Sequence, residues 1–365
     1  MAKFFKAVSL MLTVSVLFFC GCKKNMDGVQ EPISKIALIT GTEELVLDHT
    51  NEAVWNGIQS CGDTNNIEYA YYRPESYDES ELTAKFEAAA KEGAKVIIAV
   101  GDAFGPIIAS QQELHKNIKY ILIDASGSSI GTLAENTHCV MFRQEQAGYL
   151  AGYGVVKDGF SKLGFIGLRE SETYATYGYG FIQGANDAAV ELQKEVTINV
   201  TYIDEYENED TASSICDIWY SSGTEVIMIS ASDAFVQRCA KKAVNNFGYT
   251  VGVNNDQSYL ADGLDYNPFM TSAVKGLGEV VDATLEMVLA GSWKQELSGR
   301  TVYYGLQSGN YVYLPDDEAL WLFRDFTLDN YENIKHSISG GAISVVSDSY
   351  PPINDDLVFL TFTNE

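Results

Sequence analysis

Asp124 closes the apolar run that begins at Lys119, and Lys275 closes the one that begins at Phe269. A carboxylate at a strand end can point into a cleft and accept hydrogen bonds from ring-nitrogen or hydroxyl donors of a small ligand. The competing role is a capping or turn aspartate. A lone lysine is ordinarily solvated, but Lys275 ends an apolar strand beside a helical pattern starting at Gly276, which favours a binding role. Covalent chemistry would need a reactive constellation, and the candidates are weak. Gly127-Ser128-Ser129-Ile130-Gly131 satisfies GxSxG, yet a nucleophile elbow requires a tight strand-serine-helix turn. This segment lies in a Gly/Ser-rich loop before Thr132 to Asn136, and only His138 and His336 follow it. Gly178-Tyr179-Gly180 fails the GxGxxG spacing within a helical pattern, and no Walker A sequence occurs. The expectation is a protein that is not an enzyme and carries no cofactor.

Beyond the leader the cysteines are Cys61, Cys139, Cys216 and Cys239, widely spaced and without a CxxC or a His-rich partner segment. No metal site is readable from them. They are expected as scattered buried thiols, although export would permit a disulfide whose pairing the spacing leaves open.

The chain has 50 acidic and 24 basic residues, a formal charge of −26, which disfavours nucleic acid or an anionic membrane as partner. Its 46% hydrophobic content favours packed cores over disorder. Lys3 and Lys6 precede an apolar stretch from Ala7 to Phe19, the order of a secretory signal peptide and too short for a membrane span. Gly21-Cys22 followed by Lys23 and Lys24 resembles a bacterial lipobox. Residues 1–21 are therefore expected as a signal peptide, with Cys22 the lipidated residue and Cys20 the alternative, and an ordinary signal peptide the plainer possibility. Acyl chains on that cysteine would anchor the chain at the extracytoplasmic face of a cell membrane, and residues 22–33 read as a tether.

The elements that must position Asp124 and Lys275 follow an alternation. Strand candidates at Lys35 to Thr40, Glu68 to Arg73, Lys95 to Val100 and Lys119 to Asp124 are separated by helical patterns at Asn51 to Ser60, Ser80 to Lys91 and Ala103 to His115. After His138 to Arg143 the pattern repeats, with strands at Lys162 to Gly167, Thr197 to Ile203, Glu225 to Ser230 and Thr250 to Asn255. Near-continuous apolar strands in β-α-β order imply parallel sheets. The expected fold class is α/β, two doubly wound parallel-sheet lobes joined by hinge strands, with a ligand cleft between them. Lobe one is assigned residues 34–142 plus 258–298, and lobe two 143–257 plus 299–345. Glu318 to His336 reads as a final amphipathic helix, and residues 346–365, marked by Pro351-Pro352, as a loose tail.

Several phrases then read together in order: Trp55-Asn56-Gly57-Ile58, Ile123-Asp124, Gly148-Tyr149-Leu150-Ala151-Gly152, Gly164-Phe165-Ile166-Gly167, Gly180-Phe181-Ile182-Gln183-Gly184, Gly252-Val253-Asn254-Asn255-Asp256-Gln257 and Thr271-Ser272-Ala273-Val274-Lys275. Across residues 35 to 345 this set resembles the basic membrane protein family of lipoproteins, which includes purine nucleoside receptors feeding ABC importers. The resemblance implies a type I periplasmic-binding-protein fold that holds ligand where loops at the strand C-terminal ends face each other. It implies a nucleoside-like ligand and a membrane permease as partners. The alternatives are a receptor for a sugar or an autoinducer-like furanose, and a surface lipoprotein without a transport role.

In the same family Asp124 matches an acid of the binding site and Lys275 a lysine directed at the ligand sugar. Asn51 matches an asparagine whose amide can donate and accept, with helix capping as the rival role. Tyr177 falls where relatives place a stacking aromatic, although helix aromatics are more often core. Departures are equally specific: Gly41 stands at the family's first-loop aspartate, Thr50 at a stacking aromatic, and Asn254 at an aspartate that grips ribose hydroxyls. Asn254 can still bond a hydroxyl. Phe104 and Tyr174 are the candidates to replace the missing ring, and Asp256 is a further weaker ligand-binding candidate.

Overall fold

The computed structural model describes residues 32–168, 172–204 and 209–363. The expected leader, Cys20, Cys22 and nearly all of the tether lie outside them. Apolar runs become strands where the sequence places them: β1 Lys35–Ile39, β2 Glu68–Tyr72, β3 Val96–Val100, β4 Lys119–Ile123 and β5 Thr137–Phe142. These form the first sheet with β11, Arg300–Tyr304, in the order β11-β5-β4-β3-β1-β2, every pairing parallel. The second sheet contains β6 Lys162–Leu168, β7 Val196–Ile203, β8 Val226–Ser230, β9 Tyr249–Asn254, β10 Phe269–Lys275, β12 Val312–Tyr313 and β13 Val358–Phe362. Its order is β12-β10-β9-β8-β6-β7-β13, parallel except where β12 runs against β10. The central strands are buried on both faces, as helices on either side of a parallel sheet require.

Both sheets carry one winding order. In the first, β2-β1-β3-β4-β5 and in the second, β7-β6-β8-β9-β10 reverse direction after their first strand, so each has a switch point where a ligand crevice forms at the strand C-terminal ends. The helices are α1 His49–Asn65, α2 Glu79–Lys91, α3 Gly105–Leu114, α4 Gln144–Lys157, α5 Glu172–Leu192, α6 Glu209–Ser221, α7 Asp233–Asn245, α8 Leu277–Leu289 and α9 Leu328–Ser339. Helices α4 and α5 lie on the second sheet and cross closely because Gly148 and Gly152 on α4 meet the backbone of Tyr177 and Phe181, and Gly180 and Gly184 on α5 meet that of Glu145 and Tyr149, where no side chain could fit between them.

The chain crosses between the sheets three times: at Arg143 between β5 and α4, at Gly276 between β10 and α8, and between β11 and β12. The crossings are tied together. Arg143 N–H donates to the Tyr304 carbonyl at 2.8 Å, and Gly276 N–H to the Tyr311 carbonyl at 2.9 Å. Gln146 Oε1 accepts the Leu306 N–H at 2.8 Å.

Five expectations are corrected. Phe269–Lys275, assigned to lobe one within 258–298, pairs with β9 in the second sheet, because consecutive parallel strands fall side by side. The crossing back comes only at Gly276, after which α8 packs on α1, and β11, assigned to lobe two, closes the edge of the first sheet. The last helix starts at Leu328, not Glu318: Thr327 and Asn330 form a capping box there. The apolar residues before it that imitate helical spacing are an aromatic knot of Trp321, Phe323 and Phe326, pinned by Asp158 Oδ1, which accepts the N–H groups of Arg324 and Asp325 at 2.6 Å. The tail is not loose, since β13 adds a parallel edge strand beside β7 and Val358 is buried. Finally, Cys216 and Cys239 are joined by a disulfide linking α6 to α7, while Cys61 and Cys139 are free and buried.

Candidate functional site

At the C-terminal end of β4 the chain leaves the sheet through Asp124 with φ 56°, and at the end of β9 through Asn254 with φ 69°. Aspartate and asparagine are the side chains that best tolerate this left-handed conformation. Both apolar strands therefore end in a polar side chain at an abrupt turn. Lys275 ends β10, is 3% exposed, and donates from Nζ to Asp124 Oδ2 at 2.6 Å. Because Asp124 leaves the first sheet and Lys275 belongs to the second, the ion pair spans the seam between them.

Two rings flank the ammonium, with Nζ 5.7 Å from the centre of Tyr177 and 5.9 Å from that of Phe142. Contact with ring faces favours the cation. Tyr177 projects from α5, is fully buried, and exchanges long hydrogen bonds with Asn254: its hydroxyl lies 3.3 Å from both Asn254 Oδ1 and Asn254 N. Burial, and then the charge of Asp124, holds the phenol proton on far above the ordinary tyrosine range. Tyr177 is thus a neutral donor at all physiological pH.

Asn51 sits in the first turn of α1, 6% exposed. Its backbone N–H and its amide nitrogen both donate to Asp48, at 3.0 and 2.6 Å. Asn51 Oδ1 and Asp124 Oδ1 are buried without a hydrogen-bond partner. An orphaned buried acceptor costs about 1–3 kcal/mol, so both atoms mark places where a donor from outside the protein would be favourable.

Asp124, Lys275, Tyr177 and Asn254 are therefore linked by direct contacts, while Asn51, in the first turn of α1, lies near Gly41 in the loop that follows β1. Asp256 caps a short turn, accepting the Ser258 N–H, and with Lys275 lines a groove of about 580 Å³ whose other walls include Asn56, Asn255, Glu279 and Tyr313. The two candidates for a replacement ring differ in position: Tyr174 lies one turn before Tyr177 on α5 and within electrostatic reach of it. Phe104 is 2% exposed in the first-sheet core, between Tyr77 and Phe86. Tyr174 is half-buried against the second-sheet cores, its carbonyl accepting from Ser230 Oγ. The GxSxG segment folds as a short 3-10 turn at Gly127–Ser129, where Ser129 Oγ donates to the Ser126 carbonyl at 2.8 Å. His138 is buried against the Leu297 carbonyl, its pKa pushed down to about 4 by burial, and His336 faces the Glu332 carbonyl on α9.

Four residues escaped sequence reasoning. Asp48 is an N-cap whose signal, an aspartate three residues before Asn51, is common in helices with no site. His49 and Tyr259 meet across the seam with ring centres 4.1 Å apart, and Tyr259 is held by Asp233. Glu145, 3% exposed at the start of α4 beside the first crossing, has its carboxyl pushed up to about 7 by burial, with Arg143 opposing. A carboxyl raised in the folded state above its unfolded value is protonated and harmless below about pH 4.5, and its stability contribution is lost as pH rises toward 7. Glu145→Gln is therefore expected to stabilise the protein at pH 8 by about 3 kcal/mol and to flatten the stability profile between pH 5 and 7, as read by urea unfolding.

A family model described as ABC transporter substrate-binding protein PnrA-like matches residues 48–345. The chain is 24% identical over 325 residues to the ABC transporter nucleoside-binding protein BmpA of Lactococcus lactis subsp. cremoris, covering 83% of this chain and 89% of that protein. It is 26% identical to Basic membrane protein A2 of Borrelia garinii subsp. bavariensis, covering 88% and 91%. Among solved structures, an ABC transporter solute-binding protein from Conexibacter woesei superposes with a TM-score of 0.69 at 14% identity over 86% of this chain and 98% of that one, a likeness of fold.

Proposed function

The chain belongs to the Bmp family of PnrA-like ABC transporter substrate-binding proteins, and on that footing we propose that it captures a nucleoside in the seam between its two sheets and delivers it to a membrane permease. The observation that carries this is the buried Lys275–Asp124 pair crossing the seam, with Asp124 Oδ1 left unpaired within it; Asn51 Oδ1, in the first turn of α1, is a second buried acceptor without a partner. A nucleoside supplies what they lack: hydroxyl and ring N–H donors, together with an apolar face for the Tyr177 ring. The Lactococcus lactis relative, similar over most of both chains, is named for nucleoside binding.

Such a protein works by shape. Three crossings let the lobes rotate, ligand contacts made by both lobes favour the closed arrangement, and a permease distinguishes closed from open. No bond is broken, so no catalytic residue is assigned. Cys22 is the anchor under this proposal, holding the protein at the outer face of the membrane through its acyl chains.

A thermal-shift panel tests the assignment. A purine nucleoside at about 100-fold excess over its Kd is expected to raise the unfolding midpoint by about 5 °C. Stabilisation by a sugar alone would move the ligand class, and no response to any polar metabolite would leave a surface lipoprotein without a transport role. Release of free base during incubation would instead indicate a hydrolase.

A further inference from the structure

Asp48 makes one more hydrogen bond than a helix cap needs. Its Oδ1 accepts the Asn51 N–H at 3.0 Å, which caps α1. Its Oδ2 also accepts from Asn51 Nδ2 at 2.6 Å, a second bond to the side chain of the same residue. Gly41, at the end of β1, makes room for this: a Cβ there would lie 3.0 Å from Asp48 Oδ2 and 2.9 Å from the Tyr77 hydroxyl. The Asp48 carboxylate thus fills the space that a side chain at position 41 would need.

A primary amide carries donors on one end and an acceptor on the other, and half a turn about its last bond exchanges them. A carboxylate only accepts, so Asp48 holds the Asn51 nitrogen toward itself and leaves Oδ1 turned away from it, buried and unpaired. We infer that Asp48 is a positioning residue that sets the hydrogen-bond polarity of the ligand site. It makes Asn51 an acceptor, like the free oxygen of Asp124, so that the preferred ligand is one whose base edge carries donors. This rests on the nucleoside assignment above and deepens it: a base bearing an exocyclic amine beside a ring N–H is favoured over the same base without the amine.

Guanosine and inosine differ by that one amine and are the probes. Titration calorimetry on the full protein is expected to give guanosine about tenfold tighter binding than inosine, the discrimination typical of one well-made donor contact. In Asp48→Asn the cap survives, because asparagine is an equally good N-cap. The new amide now donates toward Asn51, whose own amide turns its nitrogen away, and the guanosine preference is expected to fall below about threefold while the unfolding midpoint moves by no more than about 3 °C. The swap Asp48→Asn with Asn51→Asp restores an acceptor turned away from position 48 and with it the preference. A purely structural role for Asp48 predicts no such restoration. Guanosine binding with the same preference in wild type and Asp48→Asn, or a swap that fails to restore it, overturns this inference alone. The absence of heat with either nucleoside on the wild-type protein overturns the nucleoside assignment as well.

Discussion

Replacing Lys275 by methionine is expected to weaken nucleoside binding on the order of 100-fold and to destabilise the protein by about 3 kcal/mol. The two effects have different origins. Loss of stability comes from stranding the Asp124 carboxylate, 20% exposed and otherwise lacking a cation within reach among the described contacts. Loss of binding comes from removing the one group that holds Asp124 Oδ2 and so aims Oδ1 at the ligand. They separate in the double variant Lys275→Met with Asp124→Asn. A neutral amide at 124 no longer demands a counter-charge and keeps the left-handed turn, so most of the stability returns. Binding does not. If calorimetry shows the double variant binding nucleoside like the wild type, the pair serves the fold and not the ligand.

The second large effect concerns the seat of Tyr177. A Cβ added at Gly180 would lie 1.8 Å from the Glu145 carbonyl oxygen, and one at Gly184 2.1 Å from that of Tyr149. These are backbone atoms of α4 and cannot step aside without parting the two helices. Gly180→Ala is expected to cost about 3 kcal/mol or more, and by shifting the start of α5 to displace Tyr177 from Lys275. Gly154, on the same helix α4, is the comparator. Its Cβ would meet the Phe326 ring at 2.8 Å, and a ring can tilt, so Gly154→Ala is expected to cost about 1 kcal/mol. Equal losses in urea unfolding would mean that backbone contact between α4 and α5 does not limit the packing.

The strands were legible because their apolar runs are buried on both faces, and such runs carry their own boundaries: Lys119–Ile123 and Phe269–Lys275 fall where the hydrophobicity does. Partner choice was less legible. Nothing local in Phe269–Lys275 says whether it continues the second sheet or opens the return to the first, and that depends on Gly276 turning the chain after the strand. β13 was missed because Pro351 and Pro352 correctly mark a turn but say nothing about Val358–Phe362 beyond it, whose alternation is that of an exposed edge. The disulfide required knowing that α6 and α7 are neighbours.

Within the site, Asp124 and Lys275 stood out because polar side chains end apolar strands, and Asn254 stood out through the family resemblance. Asp48 did not, since a capping aspartate reads the same whether or not its second oxygen orients a neighbour. Its contribution emerges only from the orphaned Asn51 Oδ1 and the space in front of Gly41. Phe104, an aromatic that follows a strand-end glycine, packs between Phe86 and Tyr77, a placement that its spacing alone does not reveal.

A crystal structure of the protein grown with guanosine bears most directly on the seam as the place of capture. Density for the nucleoside between the sheets, with donors within hydrogen-bond distance of Asn51 Oδ1 and Asp124 Oδ1, is the expected result. A nucleoside bound elsewhere, with those two oxygens still facing no donor, would contradict it.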